Sequence, residues 1–330
     1  MAEVVVAGEA LIDLVADADG QVRAHPGGGP YNAARTMARL GIPTAFLGRL
    51  AGDGFGRLLR ERLTEEGVGI AVAEPSGRPS TLAVVAVDDA GVASYSFYLD
   101  GTSVADLDYA AARRALPAGV TAVHVGSLGL LMEPAGTSTE RLLLTDVPPG
   151  ALVLLDPNCR PGAVADHDAY RRRIDVFARR ADIVKASVED LAYLYPDVPP
   201  AEAATILLAA GPSLVLVTDG PHPARAFLPG AVLAEPVPVV TVADTIGAGD
   251  AFGGGFLAWW LAHNRGRDDL RDGELVGGAL RVAAAAAALT CVRPGADPPH
   301  RAELLARNWW PEPRSPGAKR SPGVQRSPGA

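Results

Sequence analysis

Asp250 is the residue of this chain whose surroundings most plainly suggest chemistry. It closes the run Asp244-Thr245-Ile246-Gly247-Ala248-Gly249-Asp250, and an apolar helical pattern continues through Phe252, Phe256, Leu257, Trp260 and Leu261. A β-type run at 237–242 precedes the motif, so the order reads strand, small-residue turn, helix. That geometry exposes the free N–H groups of a helix N-terminus, which together with the helix dipole favour a phosphate. Gly247, Ala248 and Gly249 leave room for an oxyanion to approach the backbone. A carboxylate beside such a site would repel phosphate if it were only a binding group. It could instead take a proton from a hydroxyl that attacks the phosphate.

The plainer reading is that Asp250 merely favours the helix start, as acids often do. Gly253-Gly254-Gly255 weighs against it. Interior glycines cost a helix about 1 kcal/mol each relative to Ala, which predicts a central helix closely approached by backbone or ligand. The spacing Gly247-x-Gly249-x-x-x-Gly253 also suggests a dinucleotide-binding variant and hence a Rossmann-type oxidoreductase. It comes late, however, and does not follow the opening strand of a βαβ half, so that signal is weak.

A second glycine run, Gly27-Gly28-Gly29-Pro30-Tyr31-Asn32, introduces a helix over 32–40. Alone it reads as a turn followed by an Asn cap. With the later motif the chain resembles the ribokinase/PfkB family of carbohydrate kinases, whose signatures are an early GGxxxN and a late DTxGAGD. The resemblance runs in register from Val4 to about Ala296.

This resemblance implies a role for each matching position. Asp250 corresponds to the catalytic base, and Gly247, Ala248 and Gly249 to the anion hole. Asp13, Gly28, Gly29 and Asn32 fall where sugar hydroxyls are bound, and short carboxylate and amide side chains suit a polyol. Segments near 11–24 and 79–104 match a β lid that covers the sugar. Asp244 and Ile246, with the loop at 291–296, lie where many relatives hold a monovalent cation such as K+.

On the ATP side, Lys185, Ser187 and Asp190 occupy the place of an NxxE motif. Ser187 keeps a hydroxyl and Asp190 a shorter carboxylate, which implies magnesium handled through water. Thr218 and Gly220 resemble a TxG turn near the ATP phosphates, although any strand-ending turn reads alike. Pro30, the run Asp156-Pro157-Asn158-Cys159-Arg160, the segment Tyr95-Ser96-Phe97-Tyr98 and Gly101-Thr102 are most similar to the fructokinase branch. There Arg160 reaches a hydroxyl or a phosphate, or else pairs with a surface carboxylate. The aromatic residues cover an apolar sugar face or simply pack their hairpin. The implied reaction is ATP-dependent phosphorylation of a primary hydroxyl, with fructose as acceptor. Ribose, 2-keto-3-deoxygluconate and nucleosides are the alternatives, and a non-catalytic sensor of the same fold is a further one.

The elements that must position these residues alternate along the chain. Runs at 3–7, 122–125, 152–156, 183–185 and 214–218 read as buried strands. Helical patterns fall at 32–40, 55–66, 109–116, 170–181, 202–209 and 274–289. The fold class is therefore α/β, a mostly parallel sheet covered on both faces, with ligands at the carboxyl ends of its strands.

Two regions break the alternation. The runs 81–87 and 94–99 flank Asp88-Asp89-Ala90-Gly91, and 11–16 and 21–24 flank Asp17-Ala18-Asp19-Gly20. They predict either a small separate sheet or edge hairpins on the main one. An exposed lid would offer unpaired edges, which predicts a homodimer formed through it. The kinase domain is expected over 1–312. Arg-Ser-Pro-Gly recurs at Arg314, Arg320 and Arg326, so 313–330 reads as a disordered low-complexity tail.

Composition narrows the function. A formal net charge of −8 gives no general reason to bind nucleic acid or an anionic membrane, and the basic tail leaves the body more acidic still. Lys185 and Lys319 are the only lysines, and neither follows a GxxxxG run, so there is no Walker A loop. Cys159 and Cys291 stand alone without CxxC or HExxH, which suits a reducing cytoplasm. No basic leader opens the chain, and the uncharged stretch 282–292 is too short to span a bilayer. The expected partners are a small sugar and ATP.

Overall fold

A computed structural model describes residues 4–16, 21–87 and 93–313. The two turns expected at 17–20 and 88–91, and all of the tail beyond Pro313, lie outside the described residues.

The first third of the chain runs β1 (Val4–Ala7), β2 (Leu11–Ala16), β3 (Val22–Gly27), α1 (Gly29–Arg39), β4 (Thr44–Leu47), α2 (Gly54–Glu65), β5 (Gly69–Ile70), β6 (Leu82–Val87) and β7 (Ala93–Tyr98). The middle runs α3 (Tyr109–Ala115), β8 (Ala122–Gly126), α4 (Ala135–Thr145), β9 (Leu152–Asp156), α5 (His167–Arg180), β10 (Ile183–Ser187), α6 (Val188–Leu194) and α7 (Pro200–Ala209). The last part runs β11 (Leu214–Asp219), β12 (His222–Leu228), β13 (Ala231–Glu235), α8 (Ala248–Ala262), α9 (Gly273–Cys291) and α10 (Arg301–Ala306).

Nine strands form the main sheet in the order β13-β12-β11-β10-β9-β8-β1-β4-β5. All neighbours are parallel except β11–β12 and β12–β13, an antiparallel extension at one edge. Its strands are apolar on both faces. Val4 and Val6 pack with residues of α1, α8 and α9, while Val5 and Ala7 pack with residues of α3 to α7 on the other side. Burial on both faces is why β1 and β8 to β11 read as continuous apolar runs. The chain leaves β1 toward β4 and β5 and later returns on its other side through β8, so strand order reverses there, the usual place for a ligand cleft.

The two irregular regions form their own sheet, in the order β3-β2-β6-β7, rather than edge hairpins. Strand β2 pairs antiparallel with β3 and parallel with β6, and β6 pairs antiparallel with β7. Leu11, Ala83, Leu99 and Leu128 make the small apolar contact between this sheet and the body.

Two expectations need correction. Residues 237–242 form no strand; Val239 and Val242 are exposed, and the sheet ends earlier with β12 and β13. Pro236 and Pro238 remove the N–H donors that a ladder there would need. Helix α1 begins at Gly29, not at Asn32, because Gly28 at φ 108° is its cap and Pro30 its second residue. Asn32 is thus a side chain on the helix, free to point at something else. The central position of α8 is as expected: residues Asp250 to Leu261 are all buried. A Cβ on Gly254 would stand 2.9 Å from Thr36 of α1, and one on Gly255 3.0 Å from Ala286 of α9. Helix α9 is long and apolar enough to cross a membrane, but 67% of its apolar window is buried within the fold, as a core helix would be.

Candidate active site

A cleft of about 540 Å³ opens at the carboxyl ends of β1, β8 and β9, between the main sheet and the small one. Asp13, Gly28, Gly29, Asn32, Arg160, Ile246, Gly247, Gly249 and Asp250 all line it. Every residue expected to bind sugar is therefore gathered in one place. Leu11 and Phe97 bring the small sheet to the same cleft. Tyr98, by contrast, points away and is 59% exposed, and the side chain of Tyr95 lies outside the described ones.

The anion loop is built as its composition requires. Gly247 caps α8 in the left-handed region at φ 78°, which a side chain would disfavour. A Cβ there would also stand 2.6 Å from Ala296. Asp250 is the third residue of the helix, 8% exposed. Its Oδ2 accepts from Asn32 Nδ2 at 2.9 Å, and its Oδ1 from Asn158 Nδ2 at 3.5 Å. Burial, with the nearby Asp156 carboxylate, pushes the Asp250 carboxyl up to about 7, against the pull of the Asn32 hydrogen bond, Lys185 and Arg160. A carboxylate with that proton affinity is well matched to general-base work near neutral pH.

Gly29 matters for the same centre. A Cβ on it would come within 2.6 Å of Asn158 Nδ2 and 3.2 Å of Asp250 Oδ1. Asp13 lies on β2, in register with His25 and Ala83, and burial raises its carboxyl to about 6. Asn32 Oδ1 is buried without a partner, an acceptor left for a ligand hydroxyl. Arg160 donates to the Cys159 carbonyl at 3.1 Å and is close enough to Asp13 and Asp250 to favour their charged forms.

Three residues were given no role from the sequence. Glu9, 1% exposed, accepts from Gly29 N at 3.1 Å and Gly129 N at 3.0 Å, so it ties the start of α1 to the loop after β8. Its burial raises its carboxyl. Its signal was its place directly after Gly8 at the end of β1. Asn158 faces Asp250 from a backbone at φ 41°, and its signal was the Asp-Pro-Asn run. Asp156 pairs with Lys185 beneath α8, a contact between two strands that no local pattern announces.

The residues assigned to the nucleotide side stand apart from the cleft lining. Ser187 and Thr218 are neighbours across β10 and β11, and Gly220 sits in the turn that follows with open space around it. Ser187 Oγ accepts from Asp190 N, while the Asp190 carboxylate accepts from Ser187 N and Cys159 N, at 2.8 and 2.7 Å. This reciprocal cap starts α6. Lys185 is 3% exposed and does not reach the cleft. Asp244 joins Ile246 N and Gly295 N through its two oxygens, at 3.0 and 2.8 Å, which brings the loop after α9 beside the anion loop. Among the described residues no cluster of three or more His, Cys, Asp or Glu side chains could hold a metal ion.

A buried carboxylate at the N-terminus of a glycine-capped helix, facing Asn32 and Asn158 under a second sheet, is an arrangement suited to phosphoryl transfer to an alcohol. The chain belongs to the pfkB family of carbohydrate kinases, which it matches over residues 1–302. It is 33% identical to a fructokinase of Vibrio alginolyticus over 92% of this chain and 98% of that one. The crystal structure of fructokinase with bound ATP from Xylella fastidiosa superposes with a TM-score of 0.86 at 29% identity, covering 93% and 98% of the two chains. A fructokinase double mutant from Vibrio cholerae O395, bound to fructose, ADP and potassium ion, gives 0.82 at 28% identity, over 93% and 98%. The chain is thus a carbohydrate kinase, and the dinucleotide reading of Gly247–Gly253 falls away, since no strand precedes that run.

Proposed function

We propose that this carbohydrate kinase is a cytoplasmic fructokinase that transfers the γ-phosphoryl group of ATP to a primary hydroxyl of fructose. The observation that carries the reading is Asp250, buried, held by Asn32 and Asn158, and placed at the N-terminus of α8 in a cleft also lined by Asp13, Gly28, Gly29 and Arg160. The likeness to fructokinases over nearly the whole chain supports the choice of sugar.

The chain's own residues divide the work. Asp13 and Asn32 accept and donate to sugar hydroxyls, and Gly28 and Gly29 let the sugar approach the start of α1. Arg160 donates to a hydroxyl or to the transferred group. Asp250 takes the proton of the attacking hydroxyl on its carboxylate, while the N–H groups of Gly247 to Gly249 and the dipole of α8 stabilise charge on the phosphoryl group. The small sheet, with Leu11 and Phe97, shields the reacting atoms from water that would compete as acceptor.

ATP lies along the carboxyl ends of β10 and β11, past Ser187, Thr218 and Gly220. Magnesium bound to the phosphates would supply neutralising charge there. Both Asp190 oxygens already accept backbone N–H groups, so this residue suits the water shell of the ion rather than the ion itself. A potassium ion would lie beside Asp244 and Ile246, next to the loop after α9 that Asp244 holds through Gly295 N.

An ADP-release assay over fructose, other ketohexoses, aldohexoses, ribose, 2-keto-3-deoxygluconate and adenosine tests the reading. Fructose is expected to give the highest kcat/KM. Preference for one of the others would reassign the acceptor, and no turnover with any of them would return the protein to the sensor reading.

A further inference from the structure

Beneath the anion loop lies a charged pair that touches neither the cleft nor the solvent. Asp156 ends β9 and Lys185 lies on β10, on the sheet face that α8 covers. Lys185 Nζ donates to Asp156 Oδ2 at 2.9 Å, and the residues are 3% and 2% exposed. Burial works against both charges and raises the Asp156 carboxyl. At Lys185 the surrounding Asp156, Asp190 and Asp250 outweigh burial and hold the ammonium protonated. Such a pair seldom stabilises a fold relative to apolar residues of the same volume. Its cation is also badly placed for the free protein, because it sits at the positive end of α8.

Its position explains what stability does not. A Cβ on Gly249 would stand 2.9 Å from Lys185 Nζ, so the middle of the anion loop rests directly on the ammonium. Asp156 is one of the charges that act on Asp250, and its Oδ1 is buried without a partner. Lys185 is the only lysine among the described residues.

We propose that the Asp156–Lys185 pair is a positioning device for phosphoryl transfer, holding one fixed positive charge under the anion loop through Gly249 and one fixed negative charge beside Asp250. The inference rests on the kinase reading. A cation under the loop gains a further negative partner when phosphate arrives, and gains most as charge develops on the transferred group. The groups facing Asp250 are Asn32 from α1, Asn158 and Arg160 after β9, Asp156 and Lys185. His124 of β8 lies under Gly253, one turn along α8; burial and Lys185 push its imidazole down to about 3, so it stays neutral. Helix α9 meets α8 there with Ala283 and Ala286.

The test uses Asp156→Asn, Lys185→Met and the double variant, with pH profiles of kcat/KM on the best sugar and calorimetric binding of a non-hydrolysable ATP analogue with magnesium. Asp156→Asn should move the acid limb down, and Lys185→Met should move it up, each by about half a unit to one unit. The double variant removes both charges of the pair together and should fold even where Lys185→Met does not. Its acid limb should return toward that of the wild type while kcat falls about 10- to 100-fold and analogue affinity weakens. A purely structural pair would leave a folded double variant with wild-type turnover, analogue affinity and pH profile, and that result overturns the proposal while leaving the kinase reading intact. A wild-type chain that neither binds the analogue nor turns over any sugar would overturn both.

Discussion

Asn32 Nδ2 donates to Asp250 Oδ2 at 2.9 Å across 218 positions of sequence. The contact joins the glycine run that opens α1 to the glycine run that opens α8, so the two motifs form one centre. Asn32→Ala should leave Asp250 free to turn and remove a ligand acceptor as well. Misplaced reacting groups cost on the order of 10²-fold, and that loss in kcat/KM is expected with little change in melting temperature. Steady-state kinetics beside a thermal melt checks it.

Asp250→Asn should be more severe. The amide keeps the shape and one acceptor but cannot take the hydroxyl proton, and positioned bases contribute about 10²–10⁴-fold to turnover. Removing a negative charge near the triphosphate should leave ATP affinity unchanged or improved. A folded Asn variant with wild-type turnover would refute the assignment of the base.

Activity and stability should run in opposite directions with pH. Asp250 titrates near 7 in the folded chain against 3.8 ordinarily, so the folded state holds this proton more tightly than the unfolded one. Its contribution to stability is complete below 3.8 and lost as pH rises through 7. Asp13, at about 6, acts in the same sense. Turnover needs the carboxylate and should rise through the same range. Melting temperatures from pH 4 to 8 should fall less steeply in Asp250→Asn than in the wild type.

The small sheet ends in β3 on one side and β7 on the other, with Val22 and Tyr98 exposed at 61% and 59%. Pairing two such sheets about a two-fold axis would cover these edges, so a homodimer is expected. Light scattering at micromolar protein should give twice the chain mass, and Tyr98→Glu should shift it toward the monomer.

Removing 313–330 should change neither melting temperature nor activity. Cutting back to 308 should do harm, because Trp259 Nε1 donates to the Pro311 carbonyl at 2.7 Å and His263 meets Glu312. Comparing the two truncations by thermal melt separates the tail from the last segment of the body.

Short-range physics made much of this legible. Strands buried on both faces must be apolar throughout, and Gly-Ala-Gly-Asp before an apolar helix presents free N–H groups beside a carboxylate whatever surrounds it. The α/β class and Asp250 follow from local pattern and, with Asn32 and Asp13, from the resemblance. Local pattern misled where pairing decides: the valines at 237–242 have strand character, but flanking prolines leave them without a ladder. The second sheet needed β2 to find β6 some seventy residues away, a contact no hairpin signal carries. Glu9, Asn158 and the Asp156–Lys185 pair were likewise hidden, because each acts on residues of another strand or helix. So was the proton affinity of Asp250. Residue type sets its ordinary value of 3.8, but only packing under α8 and beside Asp156 removes the water that keeps a carboxyl acidic.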